Sequence, residues 1–215
     1  MNMNTDTPPS VSVIGLGAMG SGIARTFINA GCRVSAWNRS RGKVDALTAV
    51  GATGCDTPAD ALTANRYVVV CLSEYATWSK VIEEHEIQNQ LSGKTIIQLT
   101  GGTIDDVREH EAFIKGNGGR IADGAVMCFP QQLGTSASSI LMSGDQDVLE
   151  ECRPLLSMLA PQWTNLGEDI TKPAVLSRAL TAGILTSFIG FLNGIAMCQK
   201  SGISLDTYME HTEIA

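Results

Sequence analysis

The sequence predicts an α/β protein: a doubly wound sheet of the Rossmann type, followed by a long interdomain helix and the beginning of an all-α domain. Three observations lead there. Residues Val11 to Ser40, VSVIGLGAMGSGIARTFINAGCRVSAWNRS, read as strand, glycine turn, helix and strand. Apolar strand runs then alternate with helical patterns as far as Trp163, as a doubly wound sheet requires. Further on, Ala179 to Gln199 is a run of 21 residues without a charge. The chain accordingly divides into a disordered lead-in over 1–10, a sheet domain over 11–168 and a helical segment over 169–215.

The first strand ends in Gly15, Gly17 and Gly20, spaced G-x-G-x-x-G, with Leu16, Ala18 and Met19 between them. In such a turn the first glycine permits the bend, the second lets backbone approach a pyrophosphate, and the third lets the helix pack on its strand. The free N–H groups at the helix start face the phosphates, and the helix dipole favours their charge. Gly31 stands where a C-cap belongs, and a second strand, Arg33 to Trp37, follows at once. A site for NAD would place Asp or Glu at the end of that strand, to bind the ribose 2′-OH. This chain has Asn38, Arg39 and Ser40 there, then Arg41 and Lys43, and no carboxylate before Asp45. A carboxylate repels a 2′-phosphate, whereas a guanidinium bonds it with charge-assisted hydrogen bonds of roughly 1.5–3 kcal/mol each. The predicted cofactor is NADPH.

Tyr67 to Leu72 is a continuous apolar run, as in a parallel strand buried on both faces, and Ser73 follows it. Thr95 to Leu99 is the next, ending in Thr100-Gly101-Gly102-Thr103, where Thr103 caps a helix running to Lys115. Ligands of open α/β sheets bind beyond the carboxyl ends of the strands, so Cys71, Leu72, Ser73, Leu99 and Thr100 are expected to line the cofactor crevice. Shorter strands follow at Arg120 to Asp123 and Ser139 to Ser143, then a helix from Asp145 to Met158 and a strand near Trp163.

A chain of 215 residues with 44% hydrophobic content can bury a substantial core. Its net charge of −7, with no basic patch beyond Arg39 to Lys43, argues against a nucleic-acid partner. The six cysteines are scattered, with no C-x-x-C, which reads as buried free thiols in a reducing cytoplasm. His85, His110 and His211 lie far apart in polar stretches, so no metal site is expected. The opening MNMNTDTPPS has no apolar core and is not a secretion signal.

The uncharged run is long enough to cross a bilayer. It contains Thr181, Thr186, Ser187, Asn193 and Gln199, lacks a marked basic flank and directly follows a nucleotide-binding domain, which favours a buried helix of a soluble protein. A helix from Pro173 to Lys200 would be about 42 Å long at ~1.5 Å per residue, with Gly202 ending it. Gly183, Ser187, Gly190 and Gly194 share one face of it, a small-residue stripe that lets another helix approach. A helix apolar nearly all round must be surrounded by protein, so it is expected to form the core of a homodimer.

GLGAMG, WNRS, LTGGT, DGAVMCFPQQLGT and the LGED that leads into the long apolar helix resemble the β-hydroxyacid dehydrogenase superfamily, most closely its imine reductase branch. The resemblance covers Val11 to the last residue. It implies a Rossmann domain holding NADPH, a long helix leading to a helical domain, and two subunits that exchange those domains around each active site. Hydroxyacid dehydrogenases carry a serine-glycine-glycine substrate motif where this chain has Met127, Cys128 and Phe129, a departure that favours an apolar substrate pocket. They also carry a lysine near the start of the long helix, where imine reductases usually have aspartate or tyrosine. Counted from Gly167, that position is Ser177 here, with Thr181 one turn further along the same face. Reducing a ketone generates an alkoxide and needs a proton donor, whereas an iminium already carries the charge that makes its carbon electrophilic.

The expected activity is hydride delivery to the C=N bond of a cyclic imine or iminium, with the nicotinamide between Thr100, Met127 and the Ser177 face. Two alternatives stay open: a β-hydroxyacid or semialdehyde dehydrogenase, and a non-catalytic NADPH-binding sensor or scaffold. The second follows from Ser177 and from the chain ending within SLDTYMEHTEIA, where the family continues through further helices.

Overall fold

The computed structural model describes residues 8–212; most of the lead-in expected over 1–10, and the last three residues of the final helical pattern, lie outside the described residues. The first strand β1 (Ser10–Ile14) leads through the glycine turn into α1 (Ala18–Asn29) and then β2 (Arg33–Trp37). There follow α2 (Arg41–Thr48), the two-residue β3 (Thr53–Gly54), α3 (Pro58–Ala64), β4 (Tyr67–Val70) and α4 (Tyr75–Glu84). The second half consists of β5 (Thr95–Gln98), α5 (Ile104–Gly116), β6 (Arg120–Val126), β7 (Ile140–Gly144), α6 (Gln146–Leu159) and β8 (Thr164–Asn165). The chain then enters α7 (Lys172–Lys200) and α8 (Leu205–Thr212).

The strands form one sheet in the order β3-β2-β1-β4-β5-β6-β7-β8, parallel from β3 to β6, with β7 antiparallel to β6. The direction of winding reverses between β1 and β4, which opens a crevice at the carboxyl ends of those strands. Val11, Val13 and Val69 bury on one face against α1 and α6, while Ile14, Val68 and Val70 bury on the other against α3, α4 and α5. The central strands are apolar on both faces for this reason.

Helix ends follow their local chemistry. Gly31, at φ +84°, takes the left-handed position after α1 that side chains avoid. Thr103 accepts from Asp106 N–H at 3.1 Å while the Asp106 carboxylate accepts from Thr103 N–H at 2.6 Å, a reciprocal cap that Thr57 and Asp60 repeat on α3. One strand outruns its expected end: β6 continues past Asp123 to Val126, because Gly124, Ala125 and Val126 pair with Met142, Leu141 and Ile140 of β7. His110 lies in a polar stretch, yet its ring is buried between α5 and α4, where it meets Ser79 Oγ at 3.1 Å and the Tyr75 ring edge-on at 4.6 Å.

The chain falls into two compact units, one reaching to Val175 and one beginning at Leu176. The sequence reading places the boundary just before the long helix, whereas the compact division lies within its first turns, where Pro173 and Ala174 are buried with the sheet. In the second unit Tyr208 of α8 packs on α7, its ring 5.5 Å from that of Phe191. A methyl added at Gly194 would lie 2.2 Å from the Tyr208 hydroxyl, so that part of the small-residue stripe serves its own chain, while Gly183 and Gly190 face open space. Ile184, Leu185, Phe188, Ile189 and Met197 are more than half exposed, and α7 is long and apolar enough to cross a membrane by length and composition.

Candidate cofactor site

The glycine turn is built around steric necessity. Gly15 has φ +92°, and a Cβ on it would lie 2.3 Å from the Cys71 carbonyl oxygen. A Cβ on Gly20 would lie 1.9 Å from the Gly15 carbonyl oxygen, so α1 rests directly on the turn. At Gly17 a Cβ would meet no protein atom within 4 Å, and the residue is exposed at the cleft. Gly17 is also the N-cap of α1 and no side chain caps that end, which leaves its first-turn N–H groups for an anion. A cradle that a side chain would fill, beside an uncapped helix start, suits a dinucleotide pyrophosphate. Leu16 contributes through its backbone: the side chain is buried, and its N–H donates to Asn38 Oδ1 at 2.9 Å, which ties the end of β2 to the turn. Ala18 is exposed and Met19 half-buried on the first turn of α1.

A cleft of about 560 Å³ opens beside this turn. Gly15, Gly17, Asn38, Arg39, Ser40 and Lys43 line it from the β1 and β2 side, and Leu72 and Ser73 from the end of β4. Arg41, in the middle of the basic tail, points elsewhere: its guanidinium bonds Asp45 at 2.9 Å and Asp56. Arg39 and Lys43 have no ion pair among the described residues. Two uncommitted cations thus stand where a 2′-phosphate would be held, and no carboxylate occupies the end of β2.

Cys71, Leu99 and Thr100 lie behind this lining. All three are buried, and burial pushes the Cys71 thiol up to about 11, so it carries no charge at neutral pH. Thr100 Oγ1 accepts from Leu72 N–H at 3.0 Å and so braces the end of β4 from the neighbouring strand. The cleft also includes residues that the sequence reading missed: Trp37, and Glu74, Thr77, Lys80, Val81, Glu84 and His85 of the α4 segment. The His85 ring stands edge-on to Trp37 at 5.9 Å. No motif marks α4; only the packing of β4 and its following helix against the turn brings these side chains to the cleft.

Of the expected substrate residues, Met127 is half-buried just past β6, its N–H donating to Ser139 O at 2.8 Å, and Phe129 beside it is 74% exposed. Ser177 and Thr181 belong to the second unit. Thr181 Oγ1 donates to the Ser177 carbonyl at 2.8 Å, a bond within the helix that satisfies the hydroxyl locally. All six cysteines are free, and no cluster of three or more metal-ligating side chains occurs among the described residues.

The sheet order and the glycine turn define a dinucleotide-binding fold. Residues 10–167 match the NAD binding domain of 6-phosphogluconate dehydrogenase. The chain belongs to that family, within the β-hydroxyacid dehydrogenases. It is 30% identical to an NADPH-dependent reductive aminase of Aspergillus oryzae over 200 residues, which cover 92% of this chain and 66% of that enzyme. It is 29% identical to glyoxylate/succinic semialdehyde reductase 1 of Arabidopsis thaliana, covering 93% of this chain and 70% of the relative. The imine reductase of Myxococcus stipitatus, solved in complex with NADP+, superposes with a TM-score of 0.90 at 30% identity, over 96% of this chain and 71% of that one. The chain thus spans about two thirds of the length of these proteins.

Proposed function

We propose that this protein is an NADPH-dependent reductase acting on the C=N bond of a cyclic imine or iminium. The observation that carries this reading is the cleft beside the glycine turn, where Arg39 and Lys43 stand uncommitted. The similarity to a reductive aminase and an imine reductase supports the choice of bond. NADPH, when bound, supplies the hydride that the electrophilic carbon accepts. Gly17 admits the pyrophosphate, Arg39 and Lys43 hold the 2′-phosphate, and Met127 with Phe129 offers apolar surface to a ring in place of a carboxylate-binding motif. The imine nitrogen keeps the electron pair of the reduced bond. A preformed iminium therefore needs no enzymic proton, which reconciles Ser177 with turnover. The test is NADPH oxidation with a pyrroline; dinucleotide binding without oxidation by any cyclic imine would refute the reading. The semialdehyde reductase relative favours a second reading, checked with a 3-hydroxy acid and NADP+. The free thiols agree with a reducing cytoplasm as its place of action.

Ser177→Ala is expected to lower the rate of imine reduction by less than about tenfold, well short of the ~10²–10⁴ typical of losing a general acid. An N-alkylated iminium, which takes no proton, should react at least as well as the parent imine. A loss of about a thousandfold in Ser177→Ala, with NADPH affinity intact, would instead assign the hydroxyl to a proton relay.

The exposed apolar face of α7 is proposed to be covered by a second copy of the chain, giving a homodimer. Gly190 meets no atom within 4 Å of an added Cβ, so Gly190→Leu leaves its own unit unstrained. Against a closely packed partner helix it should cost about 1–3 kcal/mol or more in association. Sedimentation at micromolar concentration distinguishes the two: a monomeric parent, or a dimer that tolerates the leucine unchanged, refutes the contact.

A further inference from the structure

A groove of about 640 Å³ lies between α4 and α5, and it shares no lining residue with the dinucleotide cleft. α4 turns one face to each. Thr77, Lys80, Val81 and Glu84, at helical spacing, line the cleft, while Ser79, Ile82 and Glu83 line the groove. Glu86 follows from the turn after α4, and α5 supplies Glu109, His110 and Phe113. The volume falls within the roughly 300–1,000 Å³ of small-molecule sites.

The lining has a consistent chemistry. Ile82 is buried and Phe113 is 40% exposed, so apolar surface and an aromatic ring are both present. Glu83, Glu86 and Glu109 have no ion pair among the described residues, and no lysine or arginine shares the lining. His110 adds an acceptor that does not depend on these carboxylates. Its ring is buried, and burial holds its pKa below the usual imidazole value, so it is neutral and has one N–H. The Asp106 carbonyl, 2.9 Å from Nδ1, can only accept, so Nδ1 carries the hydrogen and Nε2 presents a lone pair. Ser79 O–H donates to that Nε2 at 3.1 Å, closer than its 3.4 Å approach to the Tyr75 carbonyl. The Ser79 oxygen then has only lone pairs left for the groove. Apart from the Gln88 amide, no side chain of the lining has a hydrogen left to donate.

We propose that this groove is a second ligand site, for an organic ammonium ion with an apolar body. The ammonium N–H groups donate to Ser79 Oγ and to the carboxylates in charge-assisted bonds, and the Phe113 ring attracts the cation while covering its apolar part. An anion of the same shape meets three like charges instead. The site uses no residue of the cleft, so it holds whether or not the protein reduces a C=N bond.

Calorimetric titration of the full chain with phenethylammonium tests this, with hydrocinnamate as an anion of similar shape. One amine should bind per chain, the anion should bind at least about tenfold more weakly, and added salt should weaken the amine. Glu83→Gln and Glu109→Gln combined in one chain should weaken the amine about fivefold or more, and Phe113→Ala about threefold or more. All three side chains are exposed, so these variants should melt as the parent does. Equal affinity for amine and anion overturns the proposal, a result that needs no variant to fold. So does the absence of binding at millimolar amine. Amine binding that the groove variants leave unchanged lies elsewhere on the chain and overturns it as well. A lysine-rich helical peptide that binds the groove where the amine does not would assign it to a protein partner and overturn the small-ligand site.

Discussion

A Gly20→Ala variant should melt several degrees below the parent and bind NADPH at least about tenfold more weakly, since overpacking of ~1–3 kcal/mol falls on the turn itself. The added methyl would lie 1.9 Å from the Gly15 carbonyl oxygen and 2.9 Å from its carbon, and both are backbone atoms that cannot swing aside. Either α1 lifts from the turn or Gly15 rotates, and Gly15 is already pressed against the Cys71 carbonyl. For a chain of this size each kcal/mol corresponds to roughly 2–4 °C of melting temperature. Gly17→Ala is the informative control. Its methyl meets no protein atom, so the fold should melt as the parent does while cofactor affinity falls. Thermal melts without cofactor and fluorescence titration with NADPH separate the two effects. An unchanged melt in Gly20→Ala would show that the turn yields; full affinity in Gly17→Ala would remove the turn from the phosphate site.

Arg39→Ala should weaken NADPH by a factor of roughly ten or more and leave NADH almost unchanged, since a charge-assisted contact of ~1.5–3 kcal/mol is lost only where a 2′-phosphate exists. The geometry sharpens this expectation. Arg39 lines the cleft without an ion pair, so no internal partner is orphaned by its removal. Arg41→Ala is the matched comparison: that side chain is engaged by Asp45 and Asp56, and its loss should leave the ratio of the two cofactors' affinities where it was. Equal losses of NADPH and NADH in Arg39→Ala would show that the residue supports the shared adenosine or the fold.

The first βαβ unit was legible because each of its parts carries a local physical requirement. A left-handed φ at Gly15 and Gly31, an apolar run at Val11 to Ile14 and a basic strand end are visible one residue at a time. The extension of β6 was not legible, since Gly124 and Ala125 have weak strand preference and owe their conformation to pairing with β7. The α4 wall of the cleft was hidden for a related reason. Lys80, Glu84 and His85 form an ordinary polar helix face until β4 and the glycine turn are laid side by side. His110 has charged sequence neighbours, yet helical periodicity places it with Val107 and Ile114 on the buried face of α5.

Sequence alone was enough for the fold class and the dinucleotide turn, because these depend on backbone sterics and on apolar strand patterning. Tertiary structure alone distinguished Arg39 and Lys43, free to meet a ligand, from Arg41, held by Asp45 and Asp56. It also brought Glu109 and Phe113 to one groove with Ile82 and Glu83, residues far apart along the chain. A charge is written in the residue's name, but its availability is set by what the fold places beside it, and burial and pairing are properties of three-dimensional neighbours.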